Sequence, residues 1–176
     1  VTGRLLYAAL AGVLLAVLAL MWQVTLPELD RAAGGQPPFD LRFTGYSLAE
    51  AQAYLGRLTP WGRDIYLEAQ HRLDAVLPPV LAVFLVWSFT VLLPRPAALA
   101  MALVALAGAV ADIAENARVA VLLTAPEPTA ALVAAASQAT VAKSALDGLA
   151  LAVFALACLW HSARRLRPVF KPADPR

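Results

Sequence analysis

Two otherwise apolar stretches late in the chain carry ionisable side chains at helical spacing. Asp112, Glu115 and Asn116 stand at i, i+3 and i+4, which puts them on one face of a helix, and Arg118 follows. Thr140, Lys143, Ser144 and Asp147 form a second polar stripe, within about 100° of one another around a helix. A charge at bilayer depth costs about 2.5–3.5 kcal/mol on insertion scales, so it normally faces a partner or a water-filled cavity. Asp112, Glu115 and Asp147 outnumber Arg118 and Lys143, which leaves one carboxylate unmatched if all ionise. That surplus suits uptake of a proton or cation, or carboxylate-assisted activation of water. Asp112, which has no cation one turn away, is the first candidate for a titrating or ligand-binding group, and Glu115 the second. The alternative is packing alone, with Glu115–Arg118 and Lys143–Asp147 pairing along their own helices.

These residues need long helices to position them. Of 176 residues, 61% are hydrophobic and 15% charged, against about 25% charged in a soluble domain, and mean hydropathy is +0.69. A span needs about 20 apolar residues, so the chain has room for four. The pattern predicts an all-α integral membrane protein, a four-transmembrane-helix bundle in one membrane domain over 1–176. Spans are expected at about 5–26, 75–93, 97–124 and 129–160. The first is too long for a signal-peptide core and is expected to stay uncleaved. Pro78-Pro79 marks a helix entry or a kink in the second.

Between the first two spans, 27–74 reads as a small helical extracytoplasmic cap. Ser47-x-x-Glu50 has capping-box spacing, and Thr59-Pro60 reads as an N-cap and first helical residue leading into the second span. Asp74, at the entrance to that span, can join the buried polar groups from above. Basic residues set the orientation. Arg4, Arg95 and the tail 161–176, with Arg164, Arg165, Arg167, Lys171 and Arg176, are expected in the cytoplasm with both termini, while the Glu127 turn lies outside. Trp22, Trp87 and Trp160 lie near span ends, as interface anchors do. The setting is a cytoplasmic-type (inner or plasma) membrane, with membrane lipid as the surrounding partner.

Other chemistries are disfavoured. A net charge of +2 provides no large basic face, so nucleic acid is not an expected partner. Cys158 alone allows neither an internal disulfide nor a thiolate metal cage. There is no G-x-S-x-G and no pair of intramembrane histidines for haem. A dimetal bundle, which needs Glu-x-x-His pairs facing its core, is disfavoured because His71 lies outside the expected spans and His161 at the cytoplasmic end. His71 and Asp74, at i and i+3, read as a hydrogen-bonded pair rather than a metal site. No metal site or particular cofactor is indicated.

Asp112-Ile113-Ala114-Glu115-Asn116 and Ser144-Ala145-Leu146-Asp147 resemble the third- and fourth-span motifs of lipoprotein signal peptidase, an intramembrane aspartyl protease with G-N-x-x-D-R and N-x-A-D patterns. The resemblance covers about 40 residues and implies a Glu115/Asp147 dyad activating water. The chain departs from it: Asp replaces the first Asn, Glu the Asp, Asn the Arg, and the fourth-span Asn is missing.

The leading expectation is a small polytopic protein that binds or carries a lipid-like molecule or cation in an outer-half intramembrane polar pocket. Its ligand set would be Asp74, Asp112, Glu115, Asn116, Arg118, Lys143, Ser144 and Asp147. The first alternative is an intramembrane hydrolase with Asp112, Glu115 and Asp147 as catalytic candidates. The second is an accessory subunit that docks another membrane protein or a second copy of itself.

Overall fold

A computed structural model describes residues 2–166, so Arg167, Lys171 and Arg176 of the basic tail lie outside the described residues. The described residues are helical and contain no strand. Four of the five helices are long and apolar enough to cross a membrane. They are α1 (Thr2–Ala32), α3 (Pro60–Leu92), α4 (Arg95–Thr124) and α5 (Ala130–Leu166). The short α2 (Leu48–Arg57) lies between α1 and α3, after a single 3-10 turn at Phe39–Leu41.

The capping box of α2 is formed in full. The Ser47 amide and hydroxyl both donate to Glu50 Oε2 at 2.7 Å, and the Glu50 amide donates back to Ser47 Oγ at 3.3 Å. These bonds hold the Glu50 carboxyl below its ordinary value of 4.5. The stabilisation is therefore present above that value and lost as pH falls through the lower, folded one. Ser47→Ala should cost about 1 kcal/mol of cap stability, measurable as faster amide exchange in α2. At the next junction Thr59 Oγ1 accepts from the Gly62 amide at 3.1 Å and Pro60 opens α3. A first-turn amide has no helical acceptor, so a proline there loses no bond and brings a helical φ.

Two π-turns interrupt the long helices, at Met21–Thr25 in α1 and Tyr66–Gln70 in α3. They meet in the interior, where Thr25 Oγ1 donates to Gln70 Oε1. Pro78 and Pro79 lie inside α3, which runs on through both. Pro78 has no N–H, so it leaves the Asp74 carbonyl, four residues back, without its helical donor.

The segment between α1 and α3 seals one end of the bundle. Phe39, Tyr54 and Tyr66 are fully buried there with Leu29, Ala51, Leu122, Leu123 and Val133. The Phe39 ring lies 4.7–4.8 Å from those of Tyr46 and Tyr54, and such pairs are worth about 0.5–1.5 kcal/mol beyond their area. Gly45, with φ +88°, brings the loop so close to α5 that a Cβ would stand 2.7 Å from Ser137 Oγ. The next amide, Tyr46 N, donates to that oxygen at 2.8 Å. At the opposite end Tyr7 bonds Ser88 at 2.9 Å, tying α1 to α3. There too His161 Nε2 on α5 lies 2.9 Å from the Leu92 carbonyl at the end of α3. The Gly34–Gly35 loop and the Pro126–Pro128 turn thus share one end of the molecule, and Arg4, Arg95 and Arg164 the other.

Candidate functional site

The two polar stripes meet in the half of the bundle nearer the sealed end. Lys143 Nζ lies 2.6 Å from Glu115 Oε2 and 3.1 Å from Asp112 Oδ1, so one ammonium holds two carboxylates of the neighbouring helix. Thr140, one turn before Lys143, donates to Glu115 Oε1 at 2.5 Å. Glu115 is fully buried and Asp112 is 4% exposed. Asn116 Nδ2 donates to Asp112 Oδ1 and to the Asp74 carbonyl, both at 3.3 Å. The second of these bonds uses the carbonyl that Pro78 leaves free, so the double proline ties α3 to α4.

This pairing replaces the one expected along each helix. Glu115 does not pair with Arg118, nor Lys143 with Asp147, and Asp112 does have a cation. The reason is geometric and energetic. A short turn joins antiparallel α4 and α5, which brings residues 112–115 and 143 to one depth. There a single long lysine stem can pair with two acids that would otherwise be buried alone, leaving one negative charge in excess if both ionise. Arg118 is turned outward and donates to the Ala114 carbonyl at 3.0 Å. Ser144 donates back to the Thr140 carbonyl at 2.7 Å and stays outside the ion pairs.

Asp147 is half-buried and makes no hydrogen bond or ion pair among the described residues. It packs so closely against Gly108 that an added Cβ there would collide with Asp147 Oδ1. The Glu115/Asp147 dyad that the signal-peptidase resemblance implies is not assembled, since Glu115 is committed to Lys143 and Thr140. Gly108→Ala should push the Asp147 carboxylate aside while removing the roughly 1 kcal/mol helix penalty of glycine. A folded Gly108→Ala protein of unchanged ligand response would exclude Asp147 from the site.

His71 does not pair with Asp74. Its Nδ1 lies 3.0 Å from the Tyr66 carbonyl and its Nε2 lies 2.9 Å from the Asn116 carbonyl. Both partners are carbonyls, so the ring bridges a turn of its own helix and α4.

Several participants escaped the sequence reading. Asp40, from the 3-10 turn, is buried and accepts from Tyr66 Oη at 2.7 Å. Its other oxygen, Asp74 Oδ2, Gln70 Nε2 and Asn116 Oδ1 are buried without hydrogen-bond partners. Such atoms are uncommon in folded proteins, and here they gather between the sealed end and the Lys143 cluster. Burial raises the hydroxyls of Tyr46 and Tyr54 well above their ordinary value of 10, so both stay neutral. The one sequence signal for this region was the run Pro37-Pro38-Phe39-Asp40, which fixes an extended entry before the turn.

Among the described residues no group of three or more His, Cys, Asp or Glu is arranged to hold a metal ion. Cavities of about 520 Å³ beside Arg42 and about 510 Å³ beside Tyr7 touch none of Asp112, Glu115 and Lys143. No family model matches the chain, no curated protein is detectably similar to it, and no solved structure matches it.

Proposed function

We propose that this chain is a multi-pass protein of a cytoplasmic-type membrane that binds an exchangeable small cation, a proton included, at the Asp112–Glu115–Lys143 cluster. In this reading both termini are cytoplasmic and the segment between α1 and α3 is an extracytoplasmic cap. Support for the setting comes from large apolar side chains turned outward along the long helices, among them Leu15, Val91, Leu99, Val110 and Leu156. The basic residues of one end add to it.

One observation carries the binding reading. Asp112 and Glu115 share the single ammonium of Lys143, and the buried Asp40 and Asp74 have no ion pair among the described residues. Two carboxylates on one lysine leave negative charge that a proton or a small cation would balance. The close packing around Glu115 favours a small ligand over a lipid-like one. The hydrolase alternative has less support, because the Glu115 oxygens are already engaged. Arg118 and Gln138, exposed beside an alanine-lined groove on α4 and α5, favour a second reading in which this face docks another membrane protein.

The test is the melting temperature of the protein in lipid nanodiscs, titrated with Na⁺ against choline at two pH values. A ligand that binds the native state raises stability by mass action. The expected result is a rise with Na⁺ at alkaline pH that shrinks in acid, where protons occupy the site. Indifference to both Na⁺ and pH would remove the binding reading. Topology is checked separately by impermeant labelling of single cysteines in a Cys158→Ala background. Labelling of positions 34 and 95 from the same side would overturn the orientation.

A further inference from the structure

At the end opposite the cap, α1, α3 and α5 leave a groove of about 510 Å³. Its walls are apolar, formed by Tyr7, Trp87, Val91, Phe154 and Cys158, with Arg4 among its lining residues. The hydroxyls in it are already satisfied: Ser88 donates to the Phe84 carbonyl at 2.7 Å and Tyr7 to Ser88 at 2.9 Å. The interior therefore offers contact to hydrocarbon and no free hydroxyl. Its volume lies in the range of roughly 300–1,000 Å³ that holds apolar ligands.

Among the described residues, the charge around the groove has one sign. Arg4, Arg95, Arg164 and Arg165 lie at this end, and residues 2–20, 84–105 and 150–165 contain no Asp or Glu. From this we infer that the groove is a binding site for an anionic phospholipid, one acyl chain lying against Tyr7 and Phe154 and the phosphate at Arg4. A free phosphate would leave the apolar walls unused, and a zwitterionic lipid would leave the basic surplus unmatched. This site shares only the membrane setting with the cation site proposed above and uses none of its residues.

Cys158, the one cysteine of the chain, lines the groove and serves as the reporter. The full chain is placed in phosphatidylcholine nanodiscs with and without phosphatidylglycerol, and alkylation of Cys158 by a maleimide is timed. Phosphatidylglycerol should slow alkylation several-fold, and Arg4→Gln should abolish the difference. Leu156→Cys in a Cys158→Ala background, on the outward face, should react equally in both lipids. Equal rates at Cys158, a preference that survives Arg4→Gln, or the same slowing at position 156 would each overturn the assignment. Inorganic phosphate added to phosphatidylcholine discs should have no effect, and protection by it would replace the lipid with a phosphate site. Loss of the Na⁺ response with lipid preference intact would affect the cation proposal alone.

Discussion

Lys143→Met should lower stability by about 3–5 kcal/mol, the usual cost of stripping the partner from a buried charge. Methionine keeps an unbranched apolar stem but removes the ammonium that lies 2.6 Å from Glu115 and 3.1 Å from Asp112. The loss should appear as a large fall in melting temperature in nanodiscs. Neutralising the acids as well, in a Lys143→Met/Asp112→Asn/Glu115→Gln protein, should recover most of it, because a buried network replaced as a whole is often neutral in stability. Lys143 touches both acids, so the effects of the three changes should be strongly non-additive. A Lys143→Met protein as stable as the parent would mean that the ion pairs contribute nothing to holding α4 against α5.

Asp112→Asn should leave the protein folded and remove its response to Na⁺ and protons. The amide keeps the shape, and Lys143 retains Glu115, which is the closer of its two partners. Glu115→Gln is the contrast. It weakens the shorter Lys143 contact and the 2.5 Å bond from Thr140, so it should destabilise the bundle whatever the site does. The sequence alone suggests that Arg118 would be the residue stranded by this change. The structure makes it Lys143, since Arg118 faces outward. An Asp112→Asn protein with the full Na⁺ response would remove Asp112 from the site.

The long helices were legible because apolar run length and proline-bounded turns are local properties of the chain. So were the Ser47–Glu50 capping box and the Thr59-Pro60 start, whose partners lie within three residues. The polar stripes on α4 and α5 were legible as stripes, for the same reason. Their pairing was not, because helical spacing shows only the partners on the same helix, and Lys143 uses its length to reach across to another. Asp40 and Gln70 were hidden for a related reason. The 3-10 turn that buries Asp40 is set by the packing of Phe39 among Tyr46 and Tyr54, and the π-turns that bring Thr25 to Gln70 have no period to read. Pro78-Pro79 was visible as a helix entry or a kink. Its effect, a free Asp74 carbonyl for Asn116, needs the neighbouring helix in place.

Balance of the negative charge around Lys143 by an exchangeable proton or cation is tested most directly by infrared difference spectroscopy. The protein is held in lipid and spectra are recorded between Na⁺-free and Na⁺-rich buffer. The expected result is a carboxylic-acid C=O band in Na⁺-free buffer that is lost when Na⁺ is added, and that is absent from Asp112→Asn. A spectrum in which no carboxyl band changes between the two buffers, in a protein shown to be folded, would contradict it.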